Sequence, residues 1–407
     1  MNKVAIIGVG HTKFGRLQDK GLMDLLCEAS LEAIEDSNTG DKDFDSVYVG
    51  VMSPEILNHL SGIASALVDR ISLIPAAADD IKNGPASGGS AIKAGFQAIA
   101  SGMSDLVLVV GGEKMTHITT PGYITSNVAT LTHPEAEKPH GVSLPSFAGL
   151  LTRVYLEKYN AKIEWISDIA IKNHKNGVLN PNAHFQRAID DFMKSATQKG
   201  RGNWNNIHDF LKDDEVNPII ADPLRLFHIC PISDGAAALV LCNAEKAKDF
   251  IDTPIMISGI GQATDTHIVF EREDLTTLKA LRLCSDQAYK MAKKSPKDID
   301  VAELHDAFEI LEAVQSEDIG FFKKGEGAKA AHNGQTEIGG KIPINPSGGL
   351  KARGHPLGAT GVAQIVELVW QLRGEAGKRQ VEGAEAGITC NFGGFGNNII
   401  SILVETM

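Results

Sequence analysis

The chain has 407 residues, 43% of them hydrophobic and 22% charged, with a net charge of −12. That is enough for two packed domains or one large duplicated one. The acidic balance, with no Lys/Arg-rich run, excludes a nucleic-acid backbone as the expected partner, though it leaves room for a locally basic pocket. Five scattered cysteines, Cys27, Cys230, Cys242, Cys284 and Cys390, form no C-x-x-C pair and no zinc spacing. Neither a disulfide framework nor a structural metal is therefore expected. No apolar run reaches the ~18 residues of a membrane span, and the N-terminus enters a strand without a signal-peptide pattern. The expectation is a cytoplasmic protein.

In chain order, "VAIIGVG" reads as a strand and "GLMDLLCEASLEAIEDS" as an amphipathic helix. "SVYVGVM" is the next strand, "SGGSAIKAGFQAIASG" the next helix, and "SDLVLVVGGEKM" a fully apolar strand. From about Thr119 the stretch turns rich in Asn, His, Lys and Pro, with helices such as "FAGLLTRVYLEKYN" and "ISDIAIKNHKNGVL" but few strand candidates. It reads as an insertion carried on the first unit. "SDGAAALVLCNAEKAKDF" returns to a buried strand, and "IMISGIGQAT" opens a second α/β block that runs to the C-terminus. That alternation defines an α/β class with buried strands. The second block echoes the first: "GPASGGSAIKAGFQAIASG" and "GHPLGATGVAQIVELVWQLRG" are each a Gly-rich turn running into an apolar helix. A duplication with a pseudo-twofold axis would bring two such helix N-termini to one place.

Four motifs bear on chemistry. "GVGHTKFG" lacks the G-x-G-x-x-G spacing, since Lys13 stands where the third glycine belongs; it reads as a tight turn after a buried strand. "ELHDAFEI" puts His305 and Asp306 between a strand and a helix. Asp306 is a good helix cap, but capping leaves His305 unexplained, and a histidine at a strand end is a reasonable catalytic candidate. "NPSGGLKARGHPLGATG" packs five glycines, two prolines and His355 into 17 residues ahead of an apolar helix. Near that N-terminus the helix dipole favours a neutral imidazole, able to donate a hydrogen bond or accept a proton. "GITCNFGGFGNN" brings Cys390 to another Gly-rich turn. A buried strand thiol is the ordinary fate there, yet glycines such as Gly393 and Gly394 let backbone N–H groups approach a ligand.

Together with "GGEKMT", "KNHKNGVLNPNAHF" and "CPISDGAAALVL", these stretches resemble the thiolase superfamily along essentially the whole chain, nearest to archaeal acetyl-CoA and sterol-carrier-protein-type thiolases. The resemblance implies a duplicated five-layer α/β/α/β/α fold. Residues 1–118 and 229–254 would form the N-terminal half, 119–228 an inserted loop domain that shapes the acyl pocket, and 255–407 the C-terminal half. It also implies chemistry at the C–C bond beta to a coenzyme A thioester carbonyl, with the thioester as substrate and no metal or covalent cofactor. In the family a cysteine is acylated, and that cysteine falls on Pro85 here. The GHP histidine, His355, activates it, and a group near the C-terminal turn, the region of Cys390, acts as acid/base. One oxyanion hole uses His355 and His305. The other uses the nucleophile's own N–H and a glycine of the C-terminal turn.

Pro85 has neither thiol nor N–H, and one lost hole donor costs about 2.7–4 kcal/mol. Ser87 falls on the family's own serine rather than on the nucleophile. What remains is the enolate half: His305 and His355 on the oxyanion, with Cys390 as acid/base. It suits an unusual acyltransferase or a retro-aldolase of a β-hydroxyacyl-CoA. The aldolases of this superfamily lack the cysteine but also tend to lose the GHP histidine, which is present here. A non-catalytic CoA-binding or scaffold subunit is the reading from another class. The resemblance further implies a homodimer and a small zinc-ribbon/OB-fold partner. His174, His184 and His228 lie in matching segments and read as local structure; no residue can be named for the CoA phosphates.

Overall fold

The computed structural model describes residues 2–40, 43–128 and 131–407. The strands are β1 (Val4–His11), β2 (Ser46–Gly50), β3 (Ala77–Ile81), β4 (Leu106–Glu113), β5 (Ile219–Ala221), β6 (Leu224–Arg225), β7 (Gly235–Asn243), β8 (Ile255–Thr264), β9 (Val301–Glu303), β10 (Ala386–Gly393) and β11 (Asn398–Thr406). Nine of them form one sheet in the order β3-β2-β4-β7-β1-β8-β11-β10-β9, with β5 and β6 a separate ladder. The two halves of the sheet join through a short antiparallel ladder, Val4–Ile6 of β1 against Ile255–Ile257 of β8.

Strand alternation sorts the apolar side chains into three clusters. Ala5 and Ile7 of β1 pack with Val47, Val49 and Val110 against the outer helices Leu22–Asp36 and Ile63–Arg70. Val4 and Ile6, on the other face, meet two central helices, Ser87–Ser101 and Thr360–Arg373, which also cover Ile400, Ile402 and Val404 of β11. Ile399 and Leu403 of β11 face the outer helices Lys279–Ala292 and Glu309–Asp318. The layers therefore run helix, sheet, helix, sheet, helix, as the family resemblance implies. Thr360–Arg373 is buried on nearly every side, as its all-round apolar character requires.

The central helices cross where the glycines of the two echoing turns meet. A Cβ on Gly88 would stand 2.5 Å from the Gly358 carbonyl oxygen, and one on Gly361 2.5 Å from the Gly89 nitrogen. Only glycine lets the two backbones approach this closely. Between β4 and β7 the chain forms helices including Leu144–Lys158 and Ile163–Leu179, which close over the C-terminal half. Alternation gives no sign of β3: it is a sheet-edge strand of sequence Ala-Ala-Asp-Asp-Ile, largely exposed, so no buried face imposes a pattern.

Candidate active site

A cavity of about 160 Å³ opens where the two halves meet, lined by Pro85, His305, His355, Gly394, Cys230 and mostly apolar side chains. Each polar group is held by its own scaffold. The glycine-turn loop of residues 345–358 is pinned from beneath by two buried carboxylates. Glu303 accepts from the Ser347 N–H at 3.1 Å, the Ser347 hydroxyl at 2.8 Å and Arg353 at 3.1 Å. Glu113 accepts from Gly358 N at 3.1 Å and Met52 N at 2.9 Å. Asp306 does act as a cap, but of the next loop: it accepts from Leu350 N at 2.7 Å and from Asn173 at 2.9 Å.

His305 follows β9, and Gln315 clamps its backbone, accepting from His305 N and donating to its carbonyl oxygen, both at 2.9 Å. Its ring stacks on Phe392 at 5.1 Å and meets the His355 ring edge-on at 4.9 Å. The imidazoles are 3% and 6% exposed. Burial lowers His355 to about 3, with the Arg353 guanidinium second. Burial, then His355 and Arg353, takes His305 well below its ordinary value. Both rings are neutral at physiological pH.

Their walls assign the tautomers. The Thr360 hydroxyl lies 2.9 Å from the Pro356 carbonyl oxygen and 2.7 Å from His355 Nδ1. Both bonds form together only when the hydroxyl donates to the carbonyl and Nδ1 carries the imidazole proton, which leaves Nε2 bare. Asn391 Oδ1 accepts from Gly89 N at 3.3 Å, so its Nδ2 faces His305 Nδ1 at 3.5 Å. His305 Nδ1 is thus the acceptor, and Nε2 carries the proton. Neither Nε2 has a hydrogen-bond partner among the described residues. The two rings therefore do not act as twin donors: one presents an N–H to the cavity, the other a lone pair.

The remaining predicted residues divide. Gly394 lines the cavity with a φ of +62°, whereas Gly393 packs against Asn83, where a Cβ would lie 2.7 Å from Oδ1. Ser87 is fully buried, and its hydroxyl donates to Gly84 O at 2.7 Å and accepts from Asn83 N at 2.9 Å; it serves the turn and does not line the cavity. Cys390 is not brought to the site. It points into the outer apolar cluster with Cys284, and burial raises its thiol well above the ordinary value. On the same strand face Phe392, two residues on, reaches the cavity wall, while Asn391, on the opposite face, sits behind the site against Gly89 N and His305 Nδ1. His184, His228 and His174 are structural, bonded to Ser233 at 2.8 Å, Ser167 at 2.9 Å and the Arg187 carbonyl at 2.9 Å. Sequence reasoning missed Cys230 and Asn391, whose places follow from contacts with distant segments.

A duplicated five-layer α/β fold with paired histidines at the seam between its halves defines the class. A thiolase N-terminal domain model matches residues 4–245, and a thiolase C-terminal domain-like model matches 261–406. The chain is 43% identical over 398 residues to an acetyl-CoA acetyltransferase of Methanothermobacter thermautotrophicus, covering 97% of each. It is 32% identical to sterol carrier protein 2 of Bos taurus, covering 98% of this chain and 72% of that protein. Among solved structures, the Ltp2-ChsH2(DUF35) aldolase matches with a TM-score of 0.80 at 23% identity, covering 99% of this chain and 97% of that one. The chain belongs to the thiolase family.

Proposed function

We propose that this protein is a thiolase-family acyl-CoA enzyme that makes or breaks the C–C bond next to a CoA thioester through an enolate, without an acyl-enzyme at residue 85. Its identity to a protein named acetyl-CoA acetyltransferase supports the thioester substrate and the enzyme class. The observation that carries the reading is Pro85 on the wall of the same cavity as His305 and His355. The family resemblance puts the nucleophile at this position, where proline carries no thiol.

His305 Nε2–H donates to the thioester oxygen and stabilises the enolate, a role in which one donor is worth about 10²–10³ in rate. His355 Nε2 is the base. Aldol cleavage of a β-hydroxyacyl-CoA needs those two functions and no covalent nucleophile, so it is the reaction favoured. The apolar walls, with Leu144, Ile229 and Phe395 among them, suit an uncharged acyl group. The reading extends to a twofold dimer and a small second subunit, both from the family resemblance; the aldolase named for Ltp2 and ChsH2(DUF35) is consistent with the latter.

The test is to incubate the purified protein with 3-hydroxyacyl-CoAs of apolar chain in the absence of free CoA. Release of a shorter acyl-CoA and a carbonyl product is expected. Thiolysis of a 3-ketoacyl-CoA that leaves an acyl group on the protein would overturn the reading.

A further inference from the structure

The enolate reading leaves open which acid protonates the α-carbon once the C–C bond breaks. His305 holds the oxygen, so the proton comes either from the His355 imidazolium that has just taken it from the hydroxyl or from a second acid on the cavity wall. Cys390 lies outside the cavity. Among the described residues, Cys230 is the cysteine that lines it.

Cys230 is placed from two sides. Its N–H donates to Ala307 O at 3.0 Å, and Ile229 forms an antiparallel bridge with Phe308, so the thiol is tied to the segment that carries His305. Lys351, from the glycine loop that carries His355, donates through Nζ to Ile229 O at 2.6 Å. The loops of both histidines therefore fix Cys230. Its sulfur is approached by its own backbone N–H. The Nε2 atoms of the two buried imidazoles have no hydrogen-bond partner among the described residues, so these two groups and the thiol are available to a ligand on otherwise apolar walls.

We propose that Cys230 is the catalytic proton donor of this cavity, its Sγ–H protonating the α-carbon of the CoA-thioester enolate held by His305. The assignment rests on the enolate reading above. In the cleavage direction His355 Nε2 takes the β-hydroxyl proton as the Cα–Cβ bond breaks. The electron pair of that bond passes to the thioester as the enolate, and the carbonyl product is released. Cys230 then gives its proton to Cα, and the His355 imidazolium returns one to the thiolate. No proton or electron is gained or lost over the cycle. Burial raises Cys230 to about 12, so the resting group is the thiol, which suits a donor to carbon and not an acylation nucleophile.

The experiment follows the α-hydrogens of acetyl-CoA, and separately propionyl-CoA, in D₂O by NMR, using wild type, Cys230→Ala and the near-isosteric Cys230→Ser. Affinity for acetyl-CoA is measured for each. Wild type is expected to exchange the α-hydrogens. Both variants should lose exchange by about 10²-fold or more, the range of general acid–base catalysis, with affinity held within about threefold. If wild type exchanges and the two variants match it, Cys230 is not the donor and the enolate reading stands alone. If wild type exchanges neither probe, the enolate reading fails and this assignment falls with it. A stable acetyl group on Cys230 would also overturn the assignment, making the thiol a nucleophile.

Discussion

His355 meets the cavity with a lone pair and His305 with an N–H, and the difference originates in the residues behind them, Thr360 and Asn391. Loss of either ring should lower turnover, but in different ways. His305→Ala removes an oxyanion donor and should reduce kcat by about 10²–10³. His355→Ala removes the base and should abolish the dependence of rate on a group titrating near its pKa. Steady-state rates across pH separate the two cases.

Position 85 gives the sharper test. Pro85→Cys puts both a thiol and an N–H on the wall of the cavity that His355 also lines, and should gain an acetyl group from acetyl-CoA, seen by peptide mass spectrometry. Pro85→Ala should not. If Pro85→Cys stays unmodified while binding acetyl-CoA, residue 85 is not the nucleophile position. The two histidines could be read from the sequence for different reasons: His355 stands among glycines and prolines that leave a structural histidine little purpose, and His305 stands at a strand end where capping by Asp306 does not explain it. Cys390 lies outside the cavity because the strand face it shares with Phe392 meets the cavity only at its end, and two residues back that face is packed in the apolar cluster. Cys230 was passed over because its partners, Ala307 and Ile229's partner Phe308, lie in another segment.

At the scale of elements, the crossing of the two central helices fixes the site. A Cβ on Gly358 would fall 2.4 Å from both the Gly112 and Gly50 carbonyl oxygens, which are backbone atoms with no freedom to yield. Gly358→Ala should therefore cost about 1–3 kcal/mol or more. It should also lower activity, because Gly358 N is one of the donors that Glu113 uses to hold the His355 loop. Thermal unfolding and turnover of the same variant check both. Both helices were legible, one apolar turn-to-helix unit written twice. The β3 edge strand was not, because burial dictates strand pattern and β3 has little.

Across the whole molecule, buried titratable groups of both kinds set the pH response. Burial lowers His11, His174, His228 and His355 to about 3 and His184 to about 4, with His305 also well down. Burial raises Glu113 and Asp306 to about 7, with Glu303 and Glu309 also up. Each group changes stability by up to about 1.4 kcal/mol per pH unit while folded and unfolded protonation differ. The histidines give stability that is present above about pH 6.5 and lost as pH falls toward 3. The carboxylates give stability that is present below about pH 4.5 and lost as pH rises through 7. Between about pH 4.5 and 6.5 the two slopes oppose, but six histidines outweigh four carboxylates, so stability declines only gently as pH falls. Below about pH 4.5 the histidine loss is no longer offset, and carboxylates held low, Asp234 and Asp274 among them, add to it. The melting temperature should fall gently from about pH 6.5 to 4.5 and steeply below about pH 4; a rise on acidification from about pH 6.5 to 4.5 would contradict this balance.

The cavity draws Pro85 from one half and His305 and His355 from the other, and among the described residues the two parts of the sheet meet at the Val4–Ile6 ladder. Neither half owns the chemistry. Two polypeptides cut within the Asp252–Pro254 connection would each carry an incomplete centre, silent alone. Mixed, they should find one another through the glycine crossing and recover activity, so that the catalyst behaves as a contract between two fragments.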